Sequence, residues 1–332
     1  MDIPPGPASA IRGQNQAPLV SVLMPVFNAA RYLDEALSSI SSQTFRDFEF
    51  VAVDDGSKDD STRILEKFAS RDTRMRLFVR GNLGVIATRN ELLGAARGEL
   101  VAWMDSDDVS LPNRLERQIE AFRRDPALVC LGSAAQCIDP EGNFLNVERY
   151  PPQHDEILRE QQKGGAMRFP TTMMRRAFAL RVGGFREPFR IGEDFDLLLR
   201  LSEIGKMANL QDTLYLYRQH VASVCAALGP QWPRFRDQIL QLAQERQARG
   251  TDRLQNGEAL HMEVAVVADR KQIESRVFRE WAGHALRNGN TSLALKYARA
   301  ALSRRPASVT AWKLMGRIVL SRLQQLSGKR TA

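Results

Sequence analysis

The run VAWMDSDDVSLPNRL, residues 101–115, closes an apolar stretch with three carboxylates, Asp105, Asp107 and Asp108, and only Ser106 stands among them. Carboxylates held this close repel one another. A hard divalent cation relieves the repulsion, and Mg2+ or Mn2+ prefers oxygen ligands. Such ions keep waters and share their coordination with substrate phosphates, so one or two protein carboxylates suffice for a metal–diphosphate substrate. The competing reading is a loop in which Asp108 caps the helix that starts near residue 111.

Three further groupings carry chemistry. In VAVDDGSKDDS, Asp54 or Asp55 can accept a hydrogen bond from a base N–H or a ribose hydroxyl. The alternative is a DG turn with Ser57 or Asp59 capping the next helix, and Asp59 and Asp60 are left to that role. In GEDFDLLLRL, Glu193 and Asp194 open a helix, where the backbone dipole alone favours acidic residues. A carboxylate there also suits a general base that takes the proton of an attacking hydroxyl. Asp196, two residues on, points away from the face of Asp194. In YRQHVAS, Arg218 and His220 follow a strand, where they can meet a phosphate or a metal, or neither.

The elements that position these groups follow from periodicity. LVSVLMPVF (19–27) reads as a buried strand, and Asn28 is a plausible N-cap for the helical AARYLDEALSSISSQ. DFEFVAVDDGS is a second strand, residues 57–70 a helix and RMRLFVR a third strand. After the GNLG turn, VIATRNELLGAA is a helix, ELVAWMD a fourth strand, and LPNRLERQIEAFRRD a helix with Pro112 near its start. Strict alternation implies parallel strands joined by crossover helices. Ligands bind outside the carboxyl ends of such strands, where Asn28, Asp54, Asp55 and Asp105 lie. Past Asp125 the alternation stops. ALVCLGSAAQCID and FLNVERY form an expected antiparallel hairpin, residues 153–163 a short helix, and MANLQDTLYLYRQH a strand. From Trp232 onward the chain reads as helical, and residues 278–306 resemble one degenerate tetratricopeptide-type helix pair, followed by a third helix.

Composition narrows the class. The 332 residues are 43% hydrophobic and 26% charged, which suits a globular protein with an ordinary core. Three cysteines without CxxC spacing and four scattered histidines argue against a disulfide framework or a zinc site. No run has the apolar length of a membrane span, and the N-terminus lacks an apolar signal segment. The net charge of +8 is concentrated: from Trp281 onward there are ten Lys or Arg and no Asp or Glu, so the rest carries about −2. An all-basic helical segment suits an anionic membrane surface, or is simply a solvated face.

Taken in order, these stretches resemble the family 2 glycosyltransferases, inverting enzymes of the GT-A fold, over residues 19 to about 224. The match includes SVLMPVFNAARYLDEALSSISSQTFRDFEFVAVDDGSKDDS, GNLGVIATRNELLGAARGELVAWMDSDD, PNRLERQ, TTMMRR, GGF, GEDFDLLLRL and YRQHVAS. The resemblance implies an α/β, Rossmann-like nucleotide-diphospho-sugar transferase with a mostly parallel sheet flanked by helices. It implies that Pro25, Val26 and Phe27 line the nucleotide pocket, that Asp54 and Asp55 lie under the base with Asp55 the better contact, and that Arg89 lies near the nucleotide. Asp105 is implied near ribose and metal, Asp107 as direct ligand of Mn2+ or Mg2+, and His220 facing metal and diphosphate. Asp194 aligns with the catalytic base and Glu193 helps hold the acceptor. Arg186, Cys225 and Phe169 depart from the family's usual residues and weaken any reading of the acceptor.

The expected organisation is a disordered lead-in (1–17), a GT-A domain (18–228) and a basic helical region (229–332). The expected partners are a nucleotide-sugar donor and a glycan or lipid-linked glycan acceptor, with no nucleic acid. Residues 281–332 are expected to rest on anionic lipid, which places the enzyme in the cytoplasm at the inner face of the membrane. A phosphatase would carry its DxD on the first strand, whereas here it follows the fourth. A nucleotidyltransferase or dehydrogenase would need a Gly-rich loop after the first strand, and MPVFNAAR is not one. The remaining alternative is a degenerate, non-catalytic nucleotide-sugar-binding module whose helical tail does the work.

Overall fold

The structure, a computed structural model, describes residues 17–221, 229–264 and 269–328. The lead-in up to residue 16, Ser223 and Cys225 after His220, and the basic end at 329–332 lie outside the described residues.

The first half alternates as its periodicity predicts. β1 (Val20–Val26), β2 (Phe48–Asp55), β3 (Met75–Arg80) and β4 (Leu100–Trp103) pair in parallel in the order β3–β2–β1–β4. Crossover helices α1 (Ala30–Ser41), α2 (Ser61–Ala69) and α3 (Val85–Ala95) join them. Each central strand is apolar on both faces because both faces are covered. Val20, Val22, Met24 and Val26 of β1 pack with Leu33 and Leu37 of α1, while Leu23 faces the opposite layer with Val51, Val53 and Leu92.

The expected caps differ. Asn28 does not cap α1; it has φ +50° and its side chain accepts from the Lys58 amide. The α1 amides are taken instead by neighbours from the α2 side, Ala29 N–H by Ser61 Oγ and Ala30 N–H by Asp59. Asp108 caps no helix either. α4 (Arg114–Arg124) starts later, after Asn113, and the carboxylate of Asp108 accepts the Arg218 amide at 2.6 Å.

The second half extends the same sheet in mixed sense. β8 (Met173–Arg175) runs antiparallel to β4, and β6 (Leu128–Ile138) antiparallel to β8. β7 (Phe144–Glu148) forms the expected hairpin with β6. β9 (Lys206–Arg218) lies parallel to β6, and the two-residue β5 (Val109–Ser110), within the acidic segment, pairs antiparallel with β9. α5 (His154–Gln161), α6 (Arg176–Arg181) and α7 (Glu193–Ser202) complete this half.

Among the described residues, four α-helices follow: α8 (Trp232–Arg249), α9 (Arg270–Arg287), α10 (Thr291–Arg304) and α11 (Val309–Gly328). Phe235, Ile239 and Leu242 of α8 pack on Phe189, Phe195 and Leu199 around α7. Trp281, Ala285, Ala294, Ala298 and Ile318 form a core of the last three helices, joined by Cys137 and Leu145 of the hairpin.

Candidate active site

A cavity of about 1300 Å³ opens at the carboxyl ends of the parallel strands. Its lining contains Pro25, Val26, Phe27, Asp55, Arg89, Asp105, Asp107, Glu193, Asp194 and His220. Of the residues singled out from sequence, Asp54, Asp108 and Arg218 are absent from that lining. Asp54 is fully buried and turned into its own loop, accepting from the Ser57 amide and the Thr62 hydroxyl. Asp55 lies at the wall with both oxygens occupied: they accept the amides of Leu83 and Gly84, each at 2.9 Å, and Arg80 pairs with one of them. Its carboxylate shapes the 82–84 loop, and with Phe27, Leu83 and Val85 exposed nearby that loop forms an apolar rim.

The acidic loop is held from beneath by β9. The Asp105 amide donates to the Tyr215 hydroxyl at 3.2 Å. Arg218 binds three segments at once: its Nε donates to the Asp107 carbonyl at 2.8 Å, its Nη1 to the carbonyls of Asp139 and Pro140, and its Nη2 to Glu35 at 2.6 Å. Arg114 is fully buried and reaches the carbonyls of Trp103, Pro170 and Thr172, so the end of β4 is pinned as well. With its backbone fixed, the loop turns the carboxylates of Asp105 and Asp107 into the cavity. His220 Nε2 lies 2.7 Å from Asp107 Oδ2.

Opposite stands the start of α7. Gly192 is its N-cap at φ +80°, and Trp232 covers it so closely that an added Cβ would come within 2.5 Å of the indole. That conformation sets Glu193 and Asp194 at the cavity edge. Asp194 Oδ1 accepts the Phe195 amide at 2.7 Å, a local bond that orients the carboxylate. Glu193 pairs with Arg89 at 2.6 Å, and Arg89 also approaches Asp105 at 3.8 Å. Burial pushes the Glu193 carboxyl up to about 7 despite Arg89, with Asp194 and Asp105 adding to the rise. Asp105 is pushed up to about 6, again by burial first; Arg89 opposes this and the charges of Asp107 and Asp194 reinforce it.

Asp196 turns away from Asp194, as its spacing predicts. It is fully buried between Arg186 and Arg200, and Arg186 and Arg246 share Asp252. Arg186 therefore anchors α7 to the segment after α8 rather than facing a ligand. Phe169 packs with Trp103 and Phe185, and Arg89 lies over its ring at 4.8 Å. The unusual residue at 186 thus serves anchoring, while Phe169 both packs and lines the cavity.

Other lining residues carry no motif. Tyr150 and Arg168 come from the segment between β7 and β8, Trp232 from α8, and Phe278, Trp281, Lys296 and Tyr297 from α9 and α10. Tyr297 bonds to Asp139, and Lys296 pairs with Glu141 at 3.2 Å. Arg168 could have been noticed beside Phe169; the helical residues arrive only by long-range packing. Among the described residues, no group of three or more His, Cys, Asp or Glu side chains is gathered to hold an ion by protein atoms alone. Asp107 and His220 are in contact, and the Asp105 carboxylate lines the same cavity. The charge of Asp107 acts on Asp105, and Arg89, 3.8 Å from Asp105, is already paired with Glu193. This chemistry fits Mn2+ or Mg2+ sharing its coordination with a substrate's phosphates.

The family model described as "Glycosyl transferase family 2" matches residues 21–184. Chondroitin synthase of Escherichia coli is 32% identical over 201 residues, 60% of this chain, and this chain spans only 29% of that protein. The uncharacterized glycosyltransferase MJ1057 of Methanocaldococcus jannaschii is 31% identical over 214 residues, covering 62% of this chain and 72% of that one. Among solved structures, Staphylococcus aureus TarS 1–349 in complex with UDP-GlcNAc superposes with a TM-score of 0.53 at 19% identity, over 91% of this chain and 81% of that one. This last likeness is one of fold.

Proposed function

This chain belongs to glycosyl transferase family 2, with a glycosyltransferase domain of GT-A fold, and from that premise we propose that it moves a sugar from a nucleoside-diphosphate sugar to an acceptor hydroxyl with inversion. The observation that carries the reading is the juxtaposition across one cavity of the Asp105–Asp107 loop and the Glu193–Asp194 helix start.

In this reading the base lies against Phe27 and the rim at 82–85, and the diphosphate lies toward Asp107 and His220. Asp105, Asp107 and His220 would hold Mn2+ or Mg2+, which when bound supplies positive charge to the leaving diphosphate. Asp194 takes the proton of the acceptor hydroxyl. The acceptor oxygen bonds to the anomeric carbon from the face opposite the diphosphate, and the bond from that carbon to the phosphate oxygen breaks. Arg89 holds Glu193 in place beside the base. The wall from Tyr150 and Arg168 to Trp232 receives the acceptor, whose sugar faces suit aromatic surfaces. A glycan or lipid-linked glycan of a cell-surface polymer, built at the cytoplasmic face of the membrane, is the acceptor class we favour; the chondroitin synthase relative supports a glycan.

A thermal-shift panel tests this: nucleoside diphosphates and their sugars, UDP-linked first, with and without Mn2+. A metal-dependent rise in Tm with one nucleotide, lost in Asp107→Asn and kept in Asp194→Asn, is expected. No rise with any nucleotide in either condition overturns the reading in favour of a non-catalytic module.

A further inference from the structure

α11 is apolar on two faces. Ala311 and Ile318 are fully buried against the neighbouring helices. On the other side Val309, Trp312, Val319, Leu320 and Leu323 are 44 to 64% exposed. Their three- and four-residue spacing puts them, with Gly316, on one stripe. From residue 309 to 323 that stripe is about 21 Å long. At 3.6 residues per turn, Lys313 and Arg317 fall on one flank and Arg322 on the other. The helix carries no Asp or Glu, nor does any residue from Trp281 onward.

Two properties select the occupant. A second copy seated on this stripe would bring its own Lys313, Arg317 and Arg322 beside the first set, with no carboxylate on either helix to offset them. An anionic surface with an apolar interior meets both the cations and the stripe. Trp312 suits such a boundary: its indole N–H already donates to the Pro306 carbonyl at 2.8 Å, so entering an apolar phase leaves no donor bare. No helix among the described residues is long and apolar enough to cross a membrane. We propose that α11 lies in the plane of an anionic bilayer, with Val309, Trp312, Val319, Leu320 and Leu323 among the acyl chains and Lys313, Arg317 and Arg322 on the head groups. The same three-helix unit gives Phe278, Trp281, Lys296 and Tyr297 to the cavity wall, so lipid docking and the active site share one rigid support.

The test is sedimentation of the full chain with phosphatidylcholine vesicles, with or without phosphatidylglycerol, in the absence of nucleotide. Because it needs no donor, its outcome is independent of the transferase reading. Binding is expected only with phosphatidylglycerol, weakening with salt, and accompanied by a blue shift of tryptophan emission that Trp312→Phe abolishes while binding is largely kept. The triple variant Trp312→Ser/Leu320→Ser/Leu323→Ser is expected to lose at least tenfold in binding. Lys313→Gln/Arg317→Gln/Arg322→Gln should lose a similar amount without touching the stripe. Since all six side chains are exposed, both variants should melt with the wild type. The proposal is overturned if wild-type chain stays in the supernatant, or if the serine variant binds as well as wild type. It is also overturned if the wild type is a dimer in solution that the serine variant converts to monomer.

Discussion

Arg89 and Glu193, 104 residues apart in sequence, meet at 2.6 Å and tie the helix after the apolar rim to the helix that carries the candidate base. Both side chains are nearly buried, so the pair matters chiefly for what its rupture leaves behind. Well above pH 7, where Glu193 would have to be ionised, Arg89→Met is expected to destabilise the fold by about 3–5 kcal/mol, with a smaller loss at lower pH where the carboxyl keeps its proton. Adding Glu193→Gln should restore part of the loss. Urea unfolding of the four proteins in a double-mutant cycle measures the coupling.

Glu193 also sets a pH dependence. Its folded value, about 7, lies above the ordinary 4.5, so the folded state keeps the proton longer than the unfolded one. Stability contributed by the neutral carboxyl is therefore full below pH 4.5 and declines as pH rises to about 7. Asp105, raised to about 6, acts in the same sense. In metal-free protein, Glu193→Gln should gain stability relative to wild type between pH 5 and 7 and hold a constant margin above that. Unfolding curves at half-unit pH steps would show it; a margin that shrinks with pH contradicts the assignment.

Asp194→Asn should lower kcat for sugar transfer by about 10²- to 10⁴-fold, the range of a lost general base. Donor binding should survive, because the Phe195 amide can still be met by the amide oxygen. A donor-titrated Tm shift equal to wild type, beside the fallen kcat, separates chemistry from binding.

Arg218→Gln tests the strap beneath the acidic loop. Arg218 touches no cavity atom of Asp107, only its carbonyl, so its effect is on position. The Mn2+ concentration needed for half-maximal nucleotide-induced Tm shift should rise about tenfold, with kcat at saturating metal changed far less. An unchanged metal requirement would leave Arg218 as a fold residue only.

Gly192→Ala should harm both fold and site. A side chain at φ +80° is strained, and its Cβ would strike Trp232. We expect a loss of about 1–3 kcal/mol from the backbone conformation alone. Replacing Trp232 with Leu in the same protein should recover the steric part, as read by Tm.

The parallel half of the sheet and the acidic part of the cavity lining were legible because strand-end chemistry is local: Pro25 to Phe27, Asp105, Asp107 and Glu193 to Asp194 each sit where a strand ends or a helix begins. Asp54 falls outside the lining for a reason that is just as local. Two adjacent carboxylates look alike in sequence, yet a strand turns them to opposite sides: Asp54 is buried in its own turn, while Asp55 reaches the cavity wall and holds the 82–84 loop. Asn28 and Asp108 read as caps because residue type alone suggests it, but tertiary partners claimed them first. Nothing local announces Trp232, Lys296 or Tyr297, since their place depends on how the last four helices fold back onto the sheet.

The pairing of β9 with β6 gives the site a place in time. β9 joins β6 across a long intervening stretch, and loop closure of that kind is slow compared with local contacts. Arg218 is the last residue of that strand, and it is what grips the carbonyl of Asp107. A chain emerging during synthesis therefore displays DSDD more than a hundred residues before it can hold it. Until then the acidic segment lacks its anchor, and the geometry of the site waits on a strand that is made about two thirds of the way along the chain.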